Sequence, residues 1–268
     1  MSQSVSVIEP TELDLDAPDL MLVQVTSVEV FQQARIPGAV LVTPQELVCG
    51  VPPASGRLPE PDQVLALFQR IGYTPDADIV VYDDEGGGWA GRFAWTLDII
   101  GHTSWRYLNG GLHSWHAAGL PLEQGGASPP EANAGLSLEL DTSPIAEVED
   151  VLSAIEDEGQ IIWDVRSDDE YMGRRSGSAR AGHIPGAVNS DWLTLKDAAQ
   201  RISADLQATL ANLGLKPGVK IITHCQTHHR SGLSYMLGRL NGLDIRAYHG
   251  SWSEWGNRDD TPIDNPSA

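Results

Sequence analysis

The chain repeats itself at long range, and that limits what it can fold into. Ile-Pro-Gly-Ala-Val occurs at residues 36–40 and again at 184–188, an offset of 148. The apolar run DADIVVYD (76–83) parallels KPGVKIITHC (216–225), so that Asp83 stands against Cys225 at an offset of 142. LNGGLHSW (108–115) parallels AYHGSWSEW (247–255), matching Trp115 with Trp255 at an offset of 140. Three landmarks in one order with a slowly drifting offset indicate duplication. A period this long is that of a domain, not of a solenoid repeat. The 268 residues therefore read as two copies of one domain. Residues 119–134, GLPLEQGGASPPEANA, are polar and punctuated by Gly and Pro, as a linker is. The expected division is a first domain over 1–122, a linker over 123–142 and a second domain over 143–268.

Within each copy strand-like and helix-like stretches alternate. IIWDV (161–165) and VKIITH (219–224) are short, apolar and β-branched, as buried parallel strands are. EPDQVLALFQRIGY (60–73), ADLQATLANLGL (204–215) and RSGLSYMLGRLNGL (230–243) read as helices. Leu206, Leu210 and Leu213 share a face of the second of these, and Gly214 is its expected stop. SPIAEVEDVL reads as a helix opening at Ser143, with a cap, a Pro and an acidic first turn. Such alternation predicts an α/β domain, a parallel sheet flanked by helices, with ligands beyond the carboxyl ends of the strands.

Composition narrows the function. Net charge is −20, from 37 acidic and 17 basic residues, which argues against nucleic acid and anionic membrane as partners. Cys49 and Cys225 are the sole cysteines, so neither a disulfide framework nor a cysteine-rich zinc site is expected, and no metal is. Two distant thiols fit a reducing compartment. The start MSQSVSVIEPTELD has no basic, apolar or cleavable character, and no run nears the roughly 20 apolar residues of a membrane span. The expectation is a soluble cytoplasmic protein. The eight Trp residues, Trp89, Trp115, Trp192, Trp252 and Trp255 among them, are assigned to packing, with one as a candidate pocket wall.

The strand VKIITH delivers the chain to Cys225-Gln226-Thr227-His228-His229-Arg230-Ser231, and a helix follows. A strand-to-helix loop gathers amide N–H groups and the positive helix end around one point. A thiol placed there, beside Arg230 and two histidines, ionises more readily than a free one at about 8.5. It is expected to be reachable from solvent and to point into the amide bowl. The loop has no acidic residue, and 12 of the 17 basic residues follow position 143. In the first copy Asp83-Asp84-Glu85 occupies the corresponding place, a triplet that reads as unfit to cradle an anion. Cys49, in LVCGVPP, reads as structural. Adjacent His228 and His229 lack a third metal ligand.

At this point a family resemblance enters. The paired Ile-Pro-Gly-Ala motifs, Asp164-Val165-Arg166-Ser167 followed by Glu170-Tyr171, the strand-then-Cys225 loop and the tail Trp255-Gly256-Asn257-Arg258-Asp259-Asp260-Thr261-Pro262 resemble two-domain rhodaneses, the thiosulfate:cyanide sulfurtransferases. CQTHHR is similar to the loop of a bacterial subgroup. The resemblance implies a tandem of two rhodanese-like domains with a degenerate N-terminal copy, and catalysis through Cys225. In that scheme the Cys225 thiolate takes the sulfane sulfur of thiosulfate, sulfite leaves, and a thiophile such as cyanide removes the sulfur from the persulfide. No cofactor is implied beyond that covalent intermediate. Gln226, Thr227, His228, His229, Arg230 and Ser231 would hold donor or persulfide, with Arg230, His228 and His229 meeting the incoming anion. Arg174, Arg175 and Arg180 would add to the field. Asp164 and Arg166 would form a structural pair under the loop. Mitochondrial members carry cations where this chain has Thr227 and Glu170, so its donor-binding cations differ.

Two rivals remain. Cysteine-dependent phosphatases and arsenate reductases place five residues between Cys and Arg, whereas four intervene here, a loop suited to one sulfur atom rather than a tetrahedral oxyanion. A persulfide carrier, handing sulfur to an acceptor protein, would use the same Cys225 chemistry.

Overall fold

The computed structural model describes residues 5–268; residues 1–4, where the segment read for a targeting signal begins, lie outside the described residues. The first domain runs β1 (Ser6–Ile8), β2 (Leu20–Val25), α1 (Val28–Gln33), β3 (Val40–Val42), α2 (Pro61–Arg70), β4 (Asp78–Asp83), α3 (Gly88–Ile99), β5 (Trp105–Leu108) and α4 (Gly111–Ala117). The second runs β6 (Ile145–Ala146), α5 (Val148–Ile155), β7 (Gln160–Asp164), α6 (Asp168–Tyr171), β8 (Val188–Asn189), α7 (Leu206–Asn212), β9 (Lys220–His224), α8 (Arg230–Leu240), β10 (Asp244–Tyr248) and α9 (Ser251–Trp255). Among the described residues each domain has one sheet of five strands, ordered β1-β5-β4-β2-β3 and β6-β10-β9-β7-β8. The two orders are the same under the repeat, and every pairing within them is parallel. This is the tandem α/β architecture that the repeat predicts.

The central strands β4 and β9 are buried on both faces, hence their continuous apolar runs. Val25 pairs with Asp83 in register, while Asp164 pairs with His224. Cys225 thus follows β9 at the point where Asp83 closes β4. One expectation needs correcting: no helix starts at Ser143. Ile145 and Ala146 instead pair with Ala247 and Tyr248 as an edge strand, and α5 starts at Val148 behind Glu147, whose capping partner is Asp150. The β-branched Ile145 suits an extended chain, and Pro144 disfavours a helical Ser143 before it. The connecting stretch carries few regular elements but is tied down. Glu123 bridges to Arg35, Asn133 to Gln69 and Tyr73, and Asp141 to Ile99.

The two domains share one apolar cluster, which runs from Val23 and Phe93 through Trp163 to Leu237. At its centre α3 crosses α8 with backbone against backbone. A Cβ on Gly232 would stand 2.4 Å from the carbonyl oxygen of Gly88 and 2.6 Å from the amide nitrogen of Arg92. Buried Asp98 of α3 accepts from Tyr235 Oη of α8 at 2.7 Å and pairs with Arg239. Both helices begin at the loops that leave β4 and β9, so this crossing sets the two loops side by side.

Gly232→Ala is therefore expected to destabilise the chain. Alanine favours a helix over glycine by about 1 kcal/mol, but forced separation of two backbones costs about 1–3 kcal/mol. Urea unfolding checks this, with Gly126→Ala as the control, since nothing lies within 4 Å of a Cβ there. A lower midpoint for the first variant alone is expected.

Candidate active site

Both loops are built to hold an anion. In the first domain the anion is the side chain of Asp83 itself. Its Oδ1 accepts from the amides of Glu85, Gly86 and Gly87 at 3.2, 3.0 and 2.9 Å, and its Oδ2 from Gly87 and Ala90 at 3.0 Å each. This corrects the reading of the acidic triplet: the loop does cradle an anion, and the cradle is filled from within. Burial, and then the charge of Glu85, push that carboxyl up to about 6 against the pull of its amide donors.

In the second domain Cys225 takes the place of Asp83, and the loop turns in the same way. Gly86 has φ +86°, and His228, 142 residues on, has φ +56°. A left-handed residue at that point turns successive amides towards one centre. The N–H groups of Gln226, Thr227, His228 and His229 meet no carbonyl or carboxylate among the described residues. The amide and hydroxyl of Ser231 both bear on the sulfur and favour its ionised form. The Cys225 amide donates to Ser251 Oγ at 3.4 Å, and its carbonyl accepts from Trp252 at 2.9 Å, which fixes the loop from the far side. Burial by itself would raise the Cys225 thiol; the charge of Arg230, the two hydrogen bonds from Ser231 and the nearby His229 prevail and hold it below the ordinary range.

The side chains around this bowl divide in a way the sequence did not disclose. Arg230 donates to both oxygens of Glu170, at 2.7 and 2.9 Å. The Glu170 carboxyl is held down to about 2: burial opposes this, and the hydrogen bonds and charge of Arg230, with Ser167, outweigh burial. Arg230 is thus committed to a carboxylate rather than free for an incoming anion. His229 pairs with Glu85 of the first domain and stacks on Trp89, with ring centroids 4.4 Å apart; Trp192 is tilted against it at 5.6 Å. Trp89 and Trp192 are the tryptophans that flank His229.

His228 departs furthest from expectation. It is wholly buried, edge-on to Trp95 of the first domain at 4.7 Å, and burial followed by the charge of Arg92 keeps it far below its ordinary pKa. It is a neutral group facing the domain interface, not a cation facing donor. Its Nδ1 lies 2.8 Å from Ser231 Oγ. One proton arrangement satisfies both contacts: His228 donates to Ser231, and Ser231 donates to the sulfur.

Gln226 Nε2 donates to Ser178 Oγ at 3.1 Å, so it fastens the loop to the 176–180 segment. The carbonyl of Thr227 abuts Gly56 of the first domain, where a Cβ would come within 2.0 Å. Asp164 and Arg166 form a fully buried bidentate pair beneath β9, and Arg166 also donates to the Gly182 carbonyl at 2.9 Å and lies over Trp252. Of the other arginines, Arg174 pairs with Asp168 and Asp169, and Arg180 holds the tail at Thr261. Arg175 is 66 % exposed and lies 3.3 Å from Glu170. Cys49 packs its sulfur near the carbonyls of Ala54 and Ser55, at 3.4 and 3.6 Å. The expectation of a solvent-reachable thiol is not met in this form: Cys225 is 1 % exposed. Around it Gln226, Thr227, His229 and Arg230 are half-buried, while His228 and Ser231 are buried with it.

Comparison with known proteins follows the same lines. The family model described as Rhodanese-like domain matches residues 10–118 and 147–258. A thiosulfate sulfurtransferase of Azotobacter vinelandii is 45 % identical over 263 residues, 96 % of each chain. The sulfur carrier protein TtuD of Thermus thermophilus is 33 % identical over 221 residues, 75 % of this chain and 76 % of that protein. The crystal structure of YnjE has the same fold, with a TM-score of 0.84 at 22 % identity over 94 % of this chain and 64 % of that one.

The balance of charges predicts opposite effects from two neighbours. Arg230→Ala should move the pH midpoint of Cys225 alkylation by iodoacetamide upward by about one unit. Glu170→Gln keeps the cap on α6 but leaves Arg230 unneutralised, and should move the midpoint downward. Rates followed by peptide mapping between pH 5 and pH 9 give both.

Proposed function

The chain belongs to the rhodanese family, as two rhodanese-like domains in tandem, and its reaction is sulfur transfer from thiosulfate; from this premise we propose that the sulfur rests on Cys225 as a persulfide and leaves to a thiophile such as cyanide. The observation that carries the proposal is the pairing of the two loops. One bowl of amides is filled by a carboxylate, and the equivalent bowl holds the thiol of Cys225 with amides to spare.

The steps balance as follows. The Cys225 thiolate attacks the outer sulfur of thiosulfate, the sulfur–sulfur bond breaks, and sulfite departs with the electron pair. The persulfide anion extends one sulfur further into the amides of residues 226–231, a preorganised site for negative charge. Cyanide then attacks the terminal sulfur, thiocyanate leaves, and the thiolate is restored. Splitting one transfer into two displacements is covalent catalysis, and it calls for no cofactor. Ser231 serves both anionic states directly. Arg230 and His229 act on them as fields, each tempered by its own carboxylate. We assign the sulfite end of the donor to Arg175, which is exposed beside Glu170. With Cys225 covered, donor entry requires movement of half-buried His229 and Arg230 at the rim. The two free thiols fit a reducing cytoplasm.

A protein acceptor is the second reading. Leu193, 57 % exposed beside Trp192, and Val51, 65 % exposed in the segment that presses on Thr227, give the rim apolar contact points. The carrier relative adds weight to it. Steady-state rates with thiosulfate and cyanide, set against rates with a candidate acceptor protein, separate the two.

Cys225→Ser should abolish thiocyanate formation and retain the fold, since the side chains are nearly isosteric. Cys49→Ser should retain activity. Loss of activity in the second variant and not the first contradicts the assignment, as does turnover of p-nitrophenyl phosphate in place of thiocyanate release.

A further inference from the structure

Every arginine that bears on the Cys225 thiol has a carboxylate partner except one. Arg230 is held by Glu170, Arg166 by Asp164, and His229 is paired with Glu85. The exception is Arg92, on α3 of the first domain, next to the Gly91–Gly232 crossing. It is completely buried. One nitrogen donates to the Leu47 carbonyl at 2.6 Å, and the guanidinium lies 4.4 Å from the centroid of the Trp95 ring. Its Nε and Nη1 have no partner, and no carboxylate lies within ion-pair distance of it among the described residues.

A buried cation without counter-charge is costly, and an aromatic face returns only part of that cost. Trp95, His228 and His249 stand between Arg92 and the active loop; His249 is tilted against Trp95 at 5.9 Å, and burial holds it below its ordinary range against the pull of its partner Glu147. Trp95 lies under the guanidinium and meets His228 edge-on, and His228, whose Nε2 is also unpartnered, is neutral. Across so dry a region a charge acts much further than it does in water.

We propose that Arg92 is a positioning residue, the buried counter-charge of Cys225, by which the first domain stabilises the thiolate and the persulfide from behind the loop. The proposal rests on the persulfide reading above and gives the first domain a part in the chemistry. Burial drives the Arg92 guanidinium down to about 9, and Cys225 and then Cys49 are the charges that draw it back up; on the thiol itself Arg230, Ser231 and His229 weigh more. The other titratable groups bearing on the thiol are Arg230 from α8, His229 from the loop, His224 at the end of β9 and the Asp164–Arg166 pair below it. Each is paired, or is buried and neutral.

The test is the pH profile of Cys225 alkylation in the full chain, read by peptide mapping so that Cys49 does not contribute. Arg92→Met removes the charge at similar volume, Arg92→Gln also keeps a donor for Leu47, and Arg92→Lys keeps the charge. The two neutral variants should raise the midpoint by about one pH unit, a tenfold loss of thiolate below it, and Arg92→Lys should restore most of the shift. An unmoved midpoint in a folded neutral variant overturns the proposal. Should neither neutral variant fold, the wild type against Cys225→Ser decides. A thiol ionised below its unfolded value adds stability above its folded pKa, so the margin should grow from pH 5 to pH 8, and a flat margin overturns the proposal. Alkylation needs no turnover. A wild type that transfers no sulfur yet shows the Arg92 shift defeats the persulfide reading instead.

Discussion

A negative charge held at the end of a strand by the amides of the turn that follows it is the constraint on which this molecule depends. Parallel sheets put all their carboxyl ends on one edge, and a helix leaving that edge turns its free N–H groups back towards the strand. The architecture therefore makes a place for an anion wherever β4 or β9 ends. The duplication made two such places. In one, the carboxylate of Asp83 supplies the charge. In the other, a thiol supplies it on ionisation.

The crossing of α3 on α8 turns this duplication into one site. Because Gly91 and Gly232 let the helix backbones touch, the loops they leave lie together, and residues of the spent copy reach the working one. Glu85 meets His229, Trp89 stacks on it, Gly56 seats Thr227, and Arg92 lies over Trp95, which meets His228 edge-on. Cys225 is buried beside that crossing, and burial strengthens every interaction with the sulfur at the expense of free entry.

The repeat, the parallel sheets and Cys225 were legible from sequence because each leaves a local trace: a recurring pentapeptide, β-branched runs, a cysteine among polar neighbours. What escaped was whatever depended on contacts between the copies. No local pattern says that His228 would turn inward to Trp95 and lose its charge, or that Arg230 would be claimed by Glu170, sixty residues away. The triplet at Asp83 was misread because acidity was weighed as a barrier to anions, when the carboxylate is itself the anion. Arg92 gave no signal at all; an arginine inside an apolar helix reads as an exposed face until its burial is known. The edge strand at Ile145 was masked by a Pro and a run of acids that mimic a helix start.

The central claim is a sulfur atom resting on one enclosed thiolate. Its most direct measurement is the mass of the intact chain after brief exposure to thiosulfate, followed by peptide mapping. The account predicts a gain of one sulfur atom on the peptide that carries Cys225, lost on addition of cyanide with release of thiocyanate. A chain that turns over thiosulfate and cyanide while that peptide never gains mass would contradict it.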